Sequence, residues 1–180
     1  MTVLGTWCPD DVVLGTVAPL ALAAAAGTAL VIDVDPDSDA YPGAGTLAAL
    51  VADGPTRIDL RPVKRGVAVL ANGGITADDA AEVIDALAAG WPRVVLRHPA
   101  RDRPAGHRVV PVHPLVPGRL VEPTQPAVYQ RGPWVIHLPP PALVLPRVRP
   151  GTVRCLLEGR RPGPSRWLRQ WRRVWDLPWP

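Results

Sequence analysis

The sequence predicts a parallel, doubly wound α/β sheet carrying a basic, Pro- and Trp-rich C-terminal extension. Three observations predict it. Apolar, β-prone runs at Thr2–Trp7, Ala29–Val34, Gly66–Leu70 and Arg93–Leu96 alternate with stretches of helical pattern. The run ALVIDV is almost continuously apolar, as befits a strand covered on both faces. Strand–helix–strand alternation of this kind closes through right-handed crossovers onto one parallel sheet. At 180 residues the chain suits one domain with an appendage, divided at 1–138 and 139–180.

The elements follow in order. TVLGTW is a buried strand. The Ala-rich helix after it has two candidate starts. Asp10 or Asp11 caps it and leaves Pro19 deep inside, or Thr16 caps it and Pro19 falls in the first turn. Gly27 ends it. Asp35 to Gly45 is loop, and Thr46–Asp53 is a short helix stopped by Gly54. Asn72-Gly73-Gly74 is a turn. Thr76 caps a helix over Ala77–Ala89, with acids in its first turn, and Gly90 stops it. Val109–Val112 and Trp134–Leu138 read as further strands, Pro139-Pro140-Pro141 as a connector, and Ala142–Leu145 as a short strand. Gly151–Glu158 reads as a short helix, and Ser165 caps a last helix to about Asp176.

Charge divides the chain. Residues 1–89 hold four bases against twelve acids, a balance of −8, and residues 90–180 hold sixteen bases against four acids, +12. Six prolines precede residue 90 and eighteen follow it. Cys8 and Cys155 are far apart and form no zinc spacing, which points to a reducing compartment. No signal-peptide pattern opens the sequence, so the expected location is the cytoplasm, with peripheral membrane contact allowed by the basic half. The run Val17–Ile32 breaks into a helix and a strand rather than a membrane span.

The opening TVLGTW, VAPLALAAAAG and LVIDVDPDS, followed by TLAALVADG, GVAVLANGG and DDAAEVIDALAAGWPRVVLRHPA, resemble the ParA/MinD family of P-loop ATPases, including its CpaE-like members. The resemblance covers residues 1–115 and rests mainly on the order of elements. It implies a P-loop NTPase-like sheet, related to Rossmann-like folds. It also implies that Asp33, first acid of an Asp-x-Asp-Pro, stands where the family handles magnesium and water.

The departures from the family are severe. A P-loop needs glycines whose backbone N–H groups wrap the phosphates and a lysine that neutralises them. Here the stretch reads Cys8-Pro9-Asp10-Asp11-Val12-Val13-Leu14-Gly15-Thr16, and the sole lysine, Lys64, lies elsewhere. Only Gly15 and Thr16 match, so Gly15, Thr16, Asp33 and Asp35 are read as a vestigial nucleotide site. Arg97 in VVLRHP stands where the family has an acid. A degenerate, catalytically silent domain with no cofactor is the expectation. A nucleotide-binding ATPase with an atypical loop is the alternative.

Other constellations carry less. The acids Asp33, Asp35, Asp37 and Asp39 alternate, but an EF-hand loop counted from Asp33 has Ser38 and Ala44 where Gly and Glu are needed. His98, His107, His113 and His137 form no metal pattern and are placed at strand ends. Cys8 reads as an inert, half-buried thiol.

The segment PSRWLRQWRRVWDLPWP is the most distinctive. Trp167, Leu168, Trp171, Val174 and Trp175 form one apolar stripe, with Arg166, Arg169, Arg172 and Arg173 beside and opposite it. Packing of the Trp face on its own domain, with a solvated arginine face, is the plainest reading. Docking of a protein partner on Arg166, Trp167, Arg169, Trp171, Arg172, Arg173 and Trp175 is the functional one. An anionic membrane surface or nucleic acid also suits a basic helix with Trp. The expected function is a non-catalytic accessory or scaffold protein beside a secretion- or pilus-type ATPase, or a basic nucleic-acid-binding module.

Overall fold

The computed structural model describes residues 2–42, 45–60, 66–101, 104, 108–116, 126–133, 137–138 and 140–179. Seven parallel strands form one sheet in the order β3-β2-β4-β1-β5-β6-β7. They are β1 (Thr2–Trp7), β2 (Ala29–Asp33), β3 (Val67–Leu70), β4 (Arg93–Arg97), β5 (Val109–Leu115), β6 (Ala127–Arg131) and β7 (Ala142–Leu145). Among the described residues, five helices accompany them: α1 (Val12–Ala26), α2 (Leu47–Asp53), α3 (Ala81–Gly90), α4 (Pro150–Leu157) and α5 (Arg166–Val174). The four strands expected in the N-terminal half are adjacent and parallel.

The two-residue period of the strands divides the core into layers. Leu4, Val31, Val95, Val110, Val112 and Val128 pack with α1, Leu156 of α4 and Trp167, Trp171 and Val174 of α5. Leu30, Ile32, Val94 and Leu96 turn the other way and pack with Leu47 of α2 and Ile84, Leu87 and Ala88 of α3. A third cluster, Leu115, Ala127 and Tyr129, lies under β5 and β6.

Helix α1 starts at the earlier of the two candidate positions. Asp11 is its N-cap and accepts from Leu14 N at 2.9 Å. Thr16, the other candidate, lies inside and donates its hydroxyl back to Val12 O at 3.1 Å. The helix therefore runs through Pro19, which has no N–H to offer Gly15 O. Burial of Leu14 and the unbroken run Val17–Ala23 holds it helical despite that lost bond.

Several sequence expectations are corrected. Thr76 caps a separate turn through Asp79 N at 3.2 Å, and the regular helix α3 begins only at Ala81. Gly90 does not stop that helix. It is the last helical residue, and Trp91 is the C-cap. A Cβ at Gly90 would lie 1.7 Å from Leu60 O, so glycine is needed there for close approach. Trp91 fixes the same contact by donating from Nε1 to Asp59 O at 3.0 Å. Strand β6 went unforeseen. The strand expected at Trp134–Leu138 falls on 134–136, outside the described residues, and the described His137 and Leu138 are not in a strand. Lys64 and His107 also lie outside them. His113 sits within β5 rather than at its end.

Residues 142–174 contribute β7, α4 and α5 to the same sheet and core as β1 and α1.

Candidate functional site

Chemistry in a parallel sheet concentrates at the carboxyl ends of the strands, where loops and helix N-termini converge. Of the four residues expected at a nucleotide site, Asp33 and Asp35 lie at and just beyond the carboxyl end of β2, and Gly15 and Thr16 lie within α1, which follows β1.

Asp33 ends β2 and is 1% exposed. Its Oδ1 accepts from Arg97 Nη1 at 2.8 Å and from Asp35 N at 3.1 Å, and its Oδ2 accepts from Ser38 Oγ at 2.8 Å. Arg97 ends the neighbouring strand β4, directly in register with Asp33. The same Nη1 donates to Asp35 Oδ2 at 3.2 Å. One guanidinium thus bridges both acids. Burial pulls the Arg97 pKa down, but the charge and hydrogen bond of Asp33, together with the electrostatic attraction of Tyr41 and Asp35, more than offset this, so it ends above its usual value and Arg97 stays charged.

Two side chains that sequence reasoning missed lock this cluster. Asn72 is fully buried after β3 and donates from Nδ2 to Asp33 O at 3.1 Å and to Ile75 O at 3.0 Å. Its Oδ1 accepts from Gly74 N and Ile75 N, each at 2.8 Å. An Asn before Gly-Gly is a turn signal, and the turn was legible, but its reach to Asp33 was not. Tyr41 donates its hydroxyl to Thr16 O at 2.8 Å, tying the β2–α2 loop to α1. Burial raises the Tyr41 pKa, so the phenol stays a donor.

The β1–α1 connection is short. Only Cys8-Pro9-Asp10-Asp11 separates Trp7 from Val12. The Gly15 amide donates to Asp11 O at 2.8 Å and the Thr16 hydroxyl is held by Val12 O. The carboxylate of Asp11 occupies the helix N-terminus, where backbone donors and the dipole would favour a phosphate. Asp10 reaches the other way, with Oδ2 2.8 Å from His113 Nδ1 on β5, and His113 stacks on Tyr129 at 5.6 Å. The carboxyl edge therefore supplies its own anion at the helix and its own cation at the acids.

Cys8 donates its thiol to Asp11 O at 3.3 Å. Burial pushes its pKa up to about 11. We expect iodoacetamide to label Cys155 of the folded protein and to leave Cys8 unmodified until the pH nears about 11, since only the thiolate reacts. Mass spectrometry of the alkylated protein checks this, and labelling of Cys8 at neutral pH would contradict it.

Of the residues assigned to a partner, the structure separates the tryptophans from the arginines. Trp167 and Trp171 are 3% and 0% exposed and belong to the core around α1, so they are not open to a partner. Trp167 Nε1 donates to Gln130 Oε1 at 2.7 Å and Trp175 Nε1 to Leu22 O at 3.0 Å. Trp179 Nε1 donates to Val174 O at 2.7 Å, satisfying a carbonyl at the end of α5. The Arg93 guanidinium lies 5.3 Å from the centre of the half-buried Trp175 ring. Aromatic area on α5 goes to its own core because the small side chains of α1 leave room for it. Arg166, Arg169, Arg172 and Arg173 are all exposed.

Among the described residues, no three His, Cys, Asp or Glu side chains come together as a metal set. No helix there is long and apolar enough to cross a membrane. An open apolar groove beside α4, lined by Val148, Pro150, Val153, Arg154, Leu157 and Glu158, shares no residue with the carboxyl-edge cluster. Compared with models of known protein families, with curated proteins and with solved structures, the chain matches none.

Proposed function

We propose that this chain is a non-catalytic, P-loop-derived protein of ParA/MinD type. Its nucleotide site is closed by its own side chains, and it serves as an accessory or scaffold component. One observation carries the reading: Arg97 bridges Asp33 and Asp35 where a metal-bound phosphate would be handled. The capping carboxylate of Asp11 on α1 supports it, because it repels a polyanion from the same helix end. The strand order also separates the sheet from the dinucleotide-binding order 3-2-1-4-5-6, since β4 lies between β2 and β1.

On this reading the working surface is the arginine face of α5 and its partner is a protein. The resemblance to CpaE-like sequences suggests an ATPase of a secretion or pilus system nearby. Titration calorimetry with Mg-ATP tests the closed site. We expect no binding tighter than roughly millimolar, about −4 kcal/mol. A micromolar isotherm would overturn the reading and restore a live nucleotide switch.

A further inference from the structure

The outer surfaces of the two helical layers carry opposite charge at matched spacing. On α5, Arg166, Arg169, Arg172 and Arg173 are exposed above the buried Trp167, Trp171 and Val174. On the opposite face of the sheet, Asp78, Asp79, Glu82 and Asp85 are exposed around α3, above the buried Ile84, Leu87 and Ala88. Both rows step by three residues, 166–169–172 along α5 and 79–82–85 from the turn before α3 into that helix. Among the described residues, no ion pair engages any of these eight side chains.

We propose that the chain pairs with a second copy of itself, the arginine row of α5 on one copy lying against the acidic row of residues 78–85 on the next. Charge complementarity selects this occupant, because it orients one row against the other. A bilayer fits less well. The apolar face of α5 is spent on the core, so the helix has nothing to insert between lipids. A nucleic acid would engage only the basic row and leave the acidic one without a role. Because the two rows lie on opposite faces of one sheet, the contact is heterologous and propagates as an open stack instead of closing as a dimer. The inference rests on the proposed role of α5 as the docking face.

Sedimentation velocity on the full chain tests it. The screening length falls from about 30 Å at about 0.01 M salt to about 3 Å at about 1 M. Species larger than one chain should therefore dominate at low salt and vanish at high salt. The variant Arg169→Gln/Arg172→Gln/Arg173→Gln should be monomeric at low salt, and so should Asp78→Asn/Glu82→Gln/Asp85→Asn. Each keeps one intact face, so mixing them should give a 1:1 dimer that grows no further. Unchanged melting temperatures establish that both variants fold. A wild-type chain that stays monomeric at low salt, or a mixture that does not pair, overturns the proposal. Should that monomer instead bind anionic vesicles, DNA or an acidic protein through the arginine row, self-pairing falls while α5 stands as a docking face. The Mg-ATP titration is independent of every one of these outcomes.

Discussion

Replacing Trp171 by Ala should unfold most of the protein or leave it close to unfolding. Trp171 is fully buried and stands edge-on to Trp167 with ring centres 5.8 Å apart. Truncating a buried Trp costs about 3–5 kcal/mol through lost transfer energy and the cavity left behind. Domains are stable by only about 5–15 kcal/mol in total. The loss here falls on the cluster that α1 shares with six strands, so it is not confined to a terminus. Deleting residues 165–180 should be worse still, because it uncovers the whole flank of α1. Chemical denaturation followed by circular dichroism checks both. An Ala variant that keeps the wild-type midpoint would mean that α5 is an independent appendage. The arginines on the same helix provide the control: changing Arg169 or Arg172 to Gln should shift stability by no more than about 0.5 kcal/mol.

The second large effect is expected at Arg97. Arg97→Met keeps the length of the side chain but leaves the carboxylate of Asp33 buried without its cation. Removing one partner of a buried pair costs about 3–5 kcal/mol. The loss should be rescued in large part by adding Asp33→Asn, which removes the orphaned charge, keeps Oδ1 for the Asp35 amide and turns Oδ2 into an amino group that can donate to the Ser38 hydroxyl. A double-mutant cycle on unfolding free energies measures the coupling, which should reach about 1–3 kcal/mol. Additive losses would show that the guanidinium is merely nearby. Arg97→Met alone, which removes the cation and keeps Asp33, is the variant to test for any affinity for Mg-ATP.

How much of this was legible in the sequence follows from the range of each interaction. The first four strands, the Gly27 end of α1, the Gly54 end of α2, the Ser165 cap and the Trp stripe are signals contained within a few residues, and the structure carries all of them. The start of α1 at Asp11 was one of two local solutions. Burial of Val17–Ala23 decides between them, and burial belongs to the assembled fold. Strand β6, AVYQR, is too short and too polar at its end to stand out from its proline-rich surroundings. Arg97 was visible as a substitution for an acid, but its role was not. That role depends on Asp33 and Arg97 facing each other in the β2–β4 register, and residues 64 apart in sequence give no sign of their alignment. The destination of the Trp face was undecided for the same reason, since its counterpart is α1, at the other end of the chain.

That last separation bears on how the protein is made. The bond from Trp175 to Leu22 joins residues 153 apart. During synthesis at about 5–20 residues per second, α1 leaves the ribosome roughly 8–30 s before the residues that cover it. Throughout that interval the Ala- and Leu-rich flank of α1 has no lid. The nascent chain thus presents an apolar helix to every holdase and every other unfinished copy on the same message. Synonymous changes that slow translation between α1 and α5 should lower the soluble yield without altering a single residue of the native fold.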